Sequence, residues 1–334
     1  MYLISPNKKQ YKANLHSHSS VTDGCKTPEE LKELYRGQGY DILAITDHEV
    51  PKEYTDFNED DFLMLTGYEA HIRPLPPSNA YAPEIHLNLF ARDPKNETHI
   101  CYHKDYCKYI SDERVKEMVH AGTQCPREYT REYINNFIRT ANENGYLVSY
   151  NHPVWSMETE ADIMAYDGYF SLEISNYGSY LANHLEYNGM LYDKMLCAGK
   201  RVFCHAGDDN HNRHPVGHPK CDSFGAYTMI LADDLTYENV IRAMESGEMY
   251  ASRGPVFKEV SLEGNKLHIV CSEVASIYVY YGSKSPACEI AEPGQSLTEA
   301  EFTVPATAKY VRISVFDREG KSADTRGFFP DELV

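Results

Sequence analysis

The sequence predicts an α/β fold in which a barrel of parallel strands is followed by a small antiparallel β-sandwich. Up to about residue 253, short apolar runs alternate with polar clusters and helical segments, a pattern typical of parallel strands covered by helices. The number of these units favours closure of the sheet into a barrel. Beyond Gly254-Pro255, short alternating runs follow one another without helices, which is typical of an antiparallel sandwich.

Seven apolar runs mark the predicted strands of the barrel. Helix signals stand between them, since Thr27 offers an N-cap, Pro28 a first-turn proline and Glu30 a capping-box partner. Gly145 and Gly199 follow two later helical segments, as is common at helix ends. The runs are Ala13–Leu15, Ile42–Ile45, Phe62–Leu65, Ile85–Phe90, Tyr146–Ser149, Tyr169–Ile174 and Val202–Cys204.

The chain divides into two predicted domains. Residues 1–253 form the barrel domain, and residues 254–334 form the C-terminal β-sandwich. Within the first domain, residues 92–127 are rich in Tyr, Cys, His and charged residues, which indicates an insertion over one face of the barrel. Residues 73–83 are rich in proline and are predicted to be a shorter loop.

Charge and cysteine content narrow the class of protein. The formal net charge of -18 argues against a nucleic-acid polymer as partner, because nothing obvious offsets repulsion from a polyanion. The nine cysteines are an odd number without a CxxC pair, which fits reduced thiols. The sequence shows no signal peptide and no membrane-spanning run, so we expect a cytoplasmic protein without a membrane partner.

Metal-binding residue types follow or lie within almost every predicted barrel strand. Because the carboxyl ends of parallel strands meet at one mouth of a barrel, residues 200 positions apart can converge there. Imidazole and carboxylate groups are ligands that suit zinc, manganese or iron. The candidate metal ligands are His16, His18, Asp23, His48, Glu69, His86, His152, Asp209 and His211.

Spacing and number favour a centre with more than one metal. His16 and His18 are separated by one residue, so both side chains point to the same side of an extended strand, and Asp209 and His211 repeat this spacing. The set holds more donors than one metal can use, which makes Glu69 the natural bridging carboxylate. One such histidine alone is more often structural, but the ordered series predicts more than one divalent ion of Zn, Mn or Fe.

The order of these motifs resembles the PHP (polymerase and histidinol phosphatase) family over roughly residues 11–215. The matching motifs are His16-Ser17-His18, Thr22-Asp23-Gly24, Ala44-Ile45-Thr46-Asp47-His48, Glu69, His86, Asn151-His152-Pro153 and Asp209-Asn210-His211. The resemblance implies a distorted (β/α)7 barrel with a di- or trinuclear centre. The segment from Tyr250 to Pro255 that leads into the sandwich resembles the CehA-like branch of that family.

The resemblance also implies how the ligands are shared among the metals. One metal would be held by His16, His18, Glu69 and Asp209, a second by Glu69, His86 and His152, and a third by Asp23, His48 and His211. Some relatives carry a histidine where this chain has Asp23, so the third site is the one most open to a difference in metal choice.

These features predict a metal-dependent phosphoesterase that acts on a small phosphorylated molecule. A metal-activated hydroxide would cleave a phosphomonoester or phosphodiester bond, with catalysis depending on Glu69, Asp209 and His211. Arg213, Arg253 and His184 are the candidate substrate-binding residues. Glu173 and Asn176, at the end of the sixth apolar run, could orient ligands.

Two other functions stay open at this point. The same metal centre could hydrolyse a carboxylester, carbamate or amide. Alternatively, the chain could be a non-catalytic binding protein that is stabilised by metal, with the sandwich as its working module. The sequence contains neither the GxSxG nor the HExxH motif of other hydrolase classes, and it leaves the oligomeric state open.

Overall fold

The computed structural model describes residues 1–74 and 82–333 and shows a mixed α/β fold. Most of the predicted loop 73–83 lies outside these residues. No helix in the described ranges is long and apolar enough to cross a membrane.

Seven strands in the first part of the chain overlap the seven predicted apolar runs, whereas the strands at Tyr2–Ile4, Gly67–Ile72, His99–Ile100 and His120–Ala121 were not predicted. In chain order, the strands of this part are β1 (Tyr2–Ile4), β2 (Lys9–Asn14), β3 (Ile42–Ala44), β4 (Leu63–Leu65), β5 (Gly67–Ile72), β6 (Ile85–Ala91), β7 (His99–Ile100), β8 (His120–Ala121), β9 (Tyr146–Tyr150), β10 (Ser171–Asn176) and β11 (Phe203–Gly207). The later strands are β12 (Tyr227–Ala232), β13 (Met249–Ser252), β14 (Phe257–Glu263), β15 (Lys266–Val274), β16 (Ser276–Tyr280), β17 (Ala287–Ile290), β18 (Leu297–Thr303), β19 (Arg312–Phe316) and β20 (Ser322–Thr325).

Six of the seven α-helices in the described ranges begin at a residue whose side chain accepts a capping hydrogen bond. The Thr27 side chain accepts a hydrogen bond from the Glu30 backbone N–H at 3.2 Å, and the Glu30 carboxylate accepts one from the Thr27 N–H at 2.9 Å, which is the predicted capping box. The helices are α1 (Pro28–Arg36), α2 (Asp112–Glu117), α3 (Arg131–Glu143), α4 (Glu160–Ala165), α5 (Tyr177–Asn183), α6 (Gly189–Cys197) and α7 (Tyr237–Ser246), and two short 3-10 helices cover Thr55–Phe57 and Pro330–Glu332.

Two sheets build the part of the molecule that contains the predicted ligands. The five-stranded sheet has the order β11-β10-β9-β6-β5, and the nine-stranded sheet has the order β17-β16-β19-β20-β13-β12-β2-β3-β4. Isolated bridges join the two sheets, one between Ser17 and Asn210 and one between His48 and Glu69. The residues that follow β2, β3 and β11 therefore approach the same region as β5.

Strand β12 is antiparallel to both β2 and β13, so the prediction that all strands of the first domain run parallel is wrong for this strand. The same prediction is wrong for β6. This strand is antiparallel to both β5 and β9. Strands β5 and β6 are consecutive in the chain and pair directly, with Glu69 opposite Asn88, and antiparallel pairing of consecutive strands needs no crossover. The amino end of β6 consequently lies where the carboxyl ends of its neighbours lie, and His86 is the second residue of β6.

The strands after residue 254 form two antiparallel layers around a common apolar core. One layer has the order β1-β14-β15-β18, and the other consists of β17, β16, β19 and β20. Their buried side chains include Val260, Ile269 and Val315. Strand β20 also pairs with β13, so the second layer continues into the nine-stranded sheet. The domain boundary at residue 253 stays a prediction.

Candidate metal centre

All nine predicted ligands lie at one end of the two joined sheets. His16 and His18 follow β2, His152 follows β9, and Asp209 and His211 follow β11. His48 follows β3 and forms a bridge with Glu69 of β5. The structure thus brings together residues from both halves of the first 211 positions, as their pattern in the sequence predicted.

Glu69 lies between two groups of imidazoles. Its Oε1 is 3.1 Å from His16 Nε2, 3.1 Å from His86 Nδ1 and 3.4 Å from His152 Nε2. Its Oε2 is 3.0 Å from His48 Nδ1 and 3.5 Å from His18 Nε2. A carboxylate whose two oxygens face different nitrogen donors is arranged as a bridging ligand would be.

Asp209 joins the two histidines that follow β2. Its Oδ1 is 3.0 Å from His18 Nε2 and 3.3 Å from His16 Nε2. Its Oδ2 accepts a hydrogen bond from the Asn176 side-chain amide at 3.1 Å. The Asp209 backbone has a φ of 52°, in the left-handed region that an aspartate enters only at a cost, and such strain is common where a side chain has a functional role.

A third group forms around Asp23. The Asp23 Oδ1 atom is 3.4 Å from His211 Nε2 and 3.6 Å from His48 Nε2. His18 stacks against both of these rings, with centroid distances of 4.3 Å to His48 and 4.4 Å to His211. Ligand atoms of these four residues all lie within 4.8 Å of one another. The grouping contains the three residues that the sequence assigned to a third metal, together with His18.

Several of these atoms are buried without a well-formed hydrogen bond. They are His16 Nε2, both ring nitrogens of His18, Asp23 Oδ1, Glu69 Oε2 and His86 Nδ1. Buried polar atoms in proteins are almost always satisfied, and leaving one unpaired costs about 1–3 kcal/mol. Each orphaned atom belongs to a residue type that binds zinc, manganese or iron. The residues therefore fit bound divalent cations, in the positions that four overlapping ligand groups define.

The charges within the cluster also fit bound divalent cations. Burial alone would raise the pKa of Glu69, but the charges of His86 and His16 hold it well below its usual value. Burial opposes protonation of His86, yet Glu69 and Glu84 raise the pKa of His86 to about 10. Burial together with the neighbouring His48 and His211 lowers the pKa of His18 to about 4. Protons and metal ions would thus compete for the same nitrogens, so metal binding would release protons.

Buried carboxylates outside the ligand set orient the imidazoles. Glu173 Oε1 is 3.0 Å from His16 Nδ1, so the opposite ring nitrogen is directed at Glu69 and Asp209. Glu173 Oε2 accepts hydrogen bonds from the His152 backbone N–H at 3.0 Å and from Asn176 at 2.9 Å. A carboxylate behind a ligating histidine is a common feature of metal sites, because it fixes the tautomer and the ring orientation.

The sequence analysis missed other orienting residues. Glu84 Oε1 lies 3.5 Å from His86 Nε2, and the Asn151 side-chain amide donates to Glu69 Oε1 at 2.9 Å. Gly207, which ends β11, allows the close approach of His16, since a Cβ there would lie 2.8 Å from the His16 Cβ. Glu84 and Asn151 are both next to or near predicted ligands in the chain, which is the only signal that could have identified them.

A second buried polar network lies beside the ligands. Arg127 donates to Glu49 Oε1 at 2.5 Å and to Glu49 Oε2 at 2.7 Å, and both side chains are fully buried. Glu49 directly follows His48 and also lies 3.0 Å from His71 Nδ1 and 3.1 Å from His99 Nε2. Since Arg127 and His99 belong to the predicted insertion 92–127, this network attaches that segment to the metal-ligand region.

An open cavity of about 680 Å³ lies above the candidate ligands. Trp155 lies in its wall, with its ring 4.9 Å from the His152 ring and 5.0 Å from the His86 ring. The lining residues are Asp23, His48, Glu69, His86, His152, Trp155, Gly178, Ser179, Leu181, Ala182, Asp209, His211, Arg213, His214, Lys220 and Asp222. A volume of this size is typical of sites that bind small molecules.

The three predicted substrate-binding residues differ in position. Arg213 lines the cavity, and its guanidinium is 3.8 Å from Asp23. Arg253 lies 4.0 Å above the Tyr180 ring, and His184 contacts the same ring at the end of α5. Neither Arg253 nor His184 is among the described residues that line the cavity. The sequence analysis missed Lys220 and Trp155, which do line it, because neither belongs to a metal-ligand pattern.

The fold and the site together define a mixed α/β protein with a candidate metal centre rich in histidine. No protein-family model matches the chain, and no curated protein is significantly similar to it. Among solved structures, the chain is similar to a two-domain protein from Bacteroides vulgatus that contains a predicted PHP-like metal-dependent phosphoesterase. The identity is 14%, the match covers 98% of this chain and 89% of that one, and the TM-score is 0.44.

Two further solved structures are each similar to about 70% of the chain. One is a provisionally assigned metal-dependent phosphoesterase from Bifidobacterium adolescentis, with 16% identity, coverage of 70% of this chain and 94% of that one, and a TM-score of 0.37. The other is an amidohydrolase from Chromobacterium violaceum with bound sulfate and no metal, with 15% identity, coverage of 71% and 96%, and a TM-score of 0.40. The first structure carries the PHP-like designation that the motifs indicated, and the CehA-like branch stays a prediction.

Proposed function

We propose that this chain is a metal-dependent hydrolase that cleaves phosphomonoester or phosphodiester bonds of a small molecule. The observation that carries the proposal is the position of Glu69, whose two oxygens face five imidazole nitrogens at the base of an open cavity. Two or three divalent ions of Zn, Mn or Fe, when bound, would supply an activated water and neutralise charge on phosphoryl oxygens.

The protein's own residues would position the reacting groups. Glu69, Asp209 and His211 would hold the cations at the base of the cavity, and Glu173 would keep His16 in the orientation that directs Nε2 inward. Arg213, at the cavity wall, would bind an oxygen of the phosphate, since a guanidinium forms paired hydrogen bonds with such groups. Trp155 would shield one side of the site from water.

We also propose that the strands around the ligands form a distorted barrel. Seven strands, namely β2, β3, β5, β6, β9, β10 and β11, surround the ligands. The two isolated bridges connect the edges of the five-stranded sheet, at β5 and after β11, to the residues that follow β3 and β2. This arrangement supports a distorted (β/α)7 barrel. We also propose a cytoplasmic protein whose partner is a small phosphorylated substrate and not a nucleic-acid polymer, as its charge of -18 favours.

A panel of substrates tests the proposed chemistry. The native protein, loaded with Mn²⁺ or Zn²⁺, is assayed on aryl phosphates, bis-aryl phosphates, aryl carboxylesters, carbamates and anilides. We expect turnover of phosphate esters, and we expect Glu69→Gln to lower the rate at least about 100-fold. The control is Glu158→Gln, which should keep the native rate, because the Glu158 carboxylate is bound by tyrosines and is absent from the cavity wall. Turnover of carbon esters, carbamates or amides alone would replace the proposal with the alternative hydrolase, and metal binding without any turnover would favour a binding protein.

A further inference from the structure

We propose that the rim of the cavity contains a second anion-binding subsite at Lys220, beside the phosphate-binding Arg213, which binds an acidic group on the leaving portion of the substrate. This inference rests on the proposed function and specifies its substrate class. The substrate would be an organic phosphate whose apolar or planar body carries a carboxylate or a second phosphate.

The size of the cavity calls for a substrate larger than a phosphate group. Its volume of about 680 Å³ is within the range of sites that enclose small organic ligands. The metal-ligand residues occupy only its base, so a phosphate bound there would leave the remaining space to the organic part of the substrate. The chemistry of the walls above the ligands therefore decides which organic phosphates fit.

One wall of the cavity is cationic and comes from a single loop, residues 211–222. Both ends of the loop are tied together, because the Asp222 carboxylate accepts hydrogen bonds from the backbone N–H groups of His211 at 2.8 Å and Asn212 at 3.1 Å. Between these ends the His214 and His218 rings stack at 4.4 Å, and the Lys220 N–H donates to His218 Nδ1 at 3.0 Å. The loop thus has a defined conformation that places Lys220 on the rim.

The charge of Lys220 is not neutralised by the protein. Its ammonium group has no ion pair or hydrogen bond with any residue in the described ranges, and Arg213 has only the 3.8 Å contact with Asp23. The nearest acidic residue of the loop, Asp222, is occupied by backbone N–H groups. Lys220 is therefore a cationic group that is free to contact an anionic part of a bound ligand.

Another part of the cavity lining is apolar. Trp155, Leu181 and Ala182 line it, and Trp155 remains 45% exposed although its ring packs against His86 and His152. An aromatic ring of this kind binds planar or aliphatic groups by burial of apolar area. A ligand that fills the cavity would therefore carry an apolar body between the phosphate at the metal ligands and the acidic group at Lys220.

Non-hydrolysable phosphonates test the subsite without relying on turnover. The Zn²⁺-loaded native protein is titrated with phenylphosphonate and with its 3- and 4-carboxy derivatives, using calorimetry and the fluorescence of Trp155, the only tryptophan of the chain. The variants are Lys220→Gln and, as a matched control, Lys258→Gln, which removes an exposed lysine of β14 that is absent from the cavity wall.

In the native protein and in Lys258→Gln, we expect at least one carboxy derivative to bind about 10-fold more tightly than phenylphosphonate, because one charge-assisted contact is worth roughly a factor of 10 in affinity. In Lys220→Gln, we expect this preference to fall below about 3-fold. Equal binding of all three phosphonates by the native protein, or a preference that survives in Lys220→Gln, would overturn the subsite alone. Failure of every phosphonate to bind would contradict the proposed function, and the subsite with it.

Discussion

The buried pair between Arg127 and Glu49 gives the sharpest stability prediction. In Arg127→Met, the Glu49 carboxylate keeps only its contacts with His71 and His99 and stays fully buried beside His48. Breaking a buried ion pair by removing one partner costs about 3–5 kcal/mol, because the remaining charge is left without compensation. Arg127 also donates to the backbone carbonyls of His71 and Cys101, and these acceptors lose their partner as well.

This free energy corresponds to a measurable shift in the melting temperature. With an unfolding entropy of about 2.1 cal/mol/K for each residue, a chain of 334 residues loses roughly 4–7 °C for 3–5 kcal/mol. The matched control is Arg114→Met, which removes the exposed partner of Glu97 in the same segment and is expected to cost about 0–1 kcal/mol. Thermal and urea denaturation followed by circular dichroism measure both variants.

A double variant separates loss of packing from the unpaired charge. Glu49→Gln added to Arg127→Met removes the buried charge but keeps an acceptor for the His71 backbone N–H. The double variant should therefore be more stable than Arg127→Met alone. The reasoning would be refuted if Arg127→Met were no less stable than Arg114→Met, or if the second substitution added its own loss in full.

Three further outcomes follow from the site. Glu173→Gln should weaken metal binding about 10–100-fold, because it removes the carboxylate behind His16, and excess metal should restore activity. The control Glu158→Gln should bind metal normally. Equal metal affinity in the two variants would exclude a positioning role for Glu173. Arg213→Met should raise the KM for an aryl phosphate, whereas Arg253→Met, which lies against Tyr180, should not. A site that is filled at a free metal concentration of 1,000 times its Kd stabilises the protein by about 4 kcal/mol. Removing the metal with a chelator should therefore lower the melting temperature by about 6 °C for each such site. An unchanged melting temperature would count against a filled metal centre.

Local signals made much of the fold predictable. The capping box of α1 was predicted from Thr27, Pro28 and Glu30 alone, because all of its hydrogen bonds connect residues within one turn. Most strands that contain or precede ligands were found as apolar runs, but β5, which contains Glu69, was not. Strands β12 and β13 were not predicted. In the structure these two strands pair, with Thr228 opposite Ala251. Their pairing is antiparallel and depends on the return of α7, which no short window of sequence shows.

The direction of β6 shows why topology was harder to predict than elements. The apolar run from Ile85 is the same whether the strand runs parallel or antiparallel, and only its pairing partners settle the direction. His86 still reaches the cluster, because an antiparallel strand presents its amino end where its neighbours present their carboxyl ends. The predicted convergence thus came from a partly wrong topology.

The candidate ligands were predictable because the residue types are uncommon together and recur in order along the chain. The residues that support these ligands were harder to predict from the sequence. Arg127 and Glu49 are 78 positions apart, and a lone arginine in a polar segment gives no sign that it will be fully buried. Trp155 and Lys220 face the cavity only because of turns in the backbone, so neither their residue type nor their spacing indicated a role.

Metal content is the most direct test of the central claim, which is that these ligands converge on bound cations. Elemental analysis is done on freshly purified native protein, on an Asp209→Ala/His211→Ala variant, and on an Asp233→Ala/His268→Ala control that removes the same residue types away from the cavity wall. We predict two to three metal ions for each native or control chain and fewer in the first variant, because Asp209 and His211 belong to two of the ligand groups. Native protein that holds no metal, and takes up none on titration with Mn²⁺ or Zn²⁺, would contradict the account.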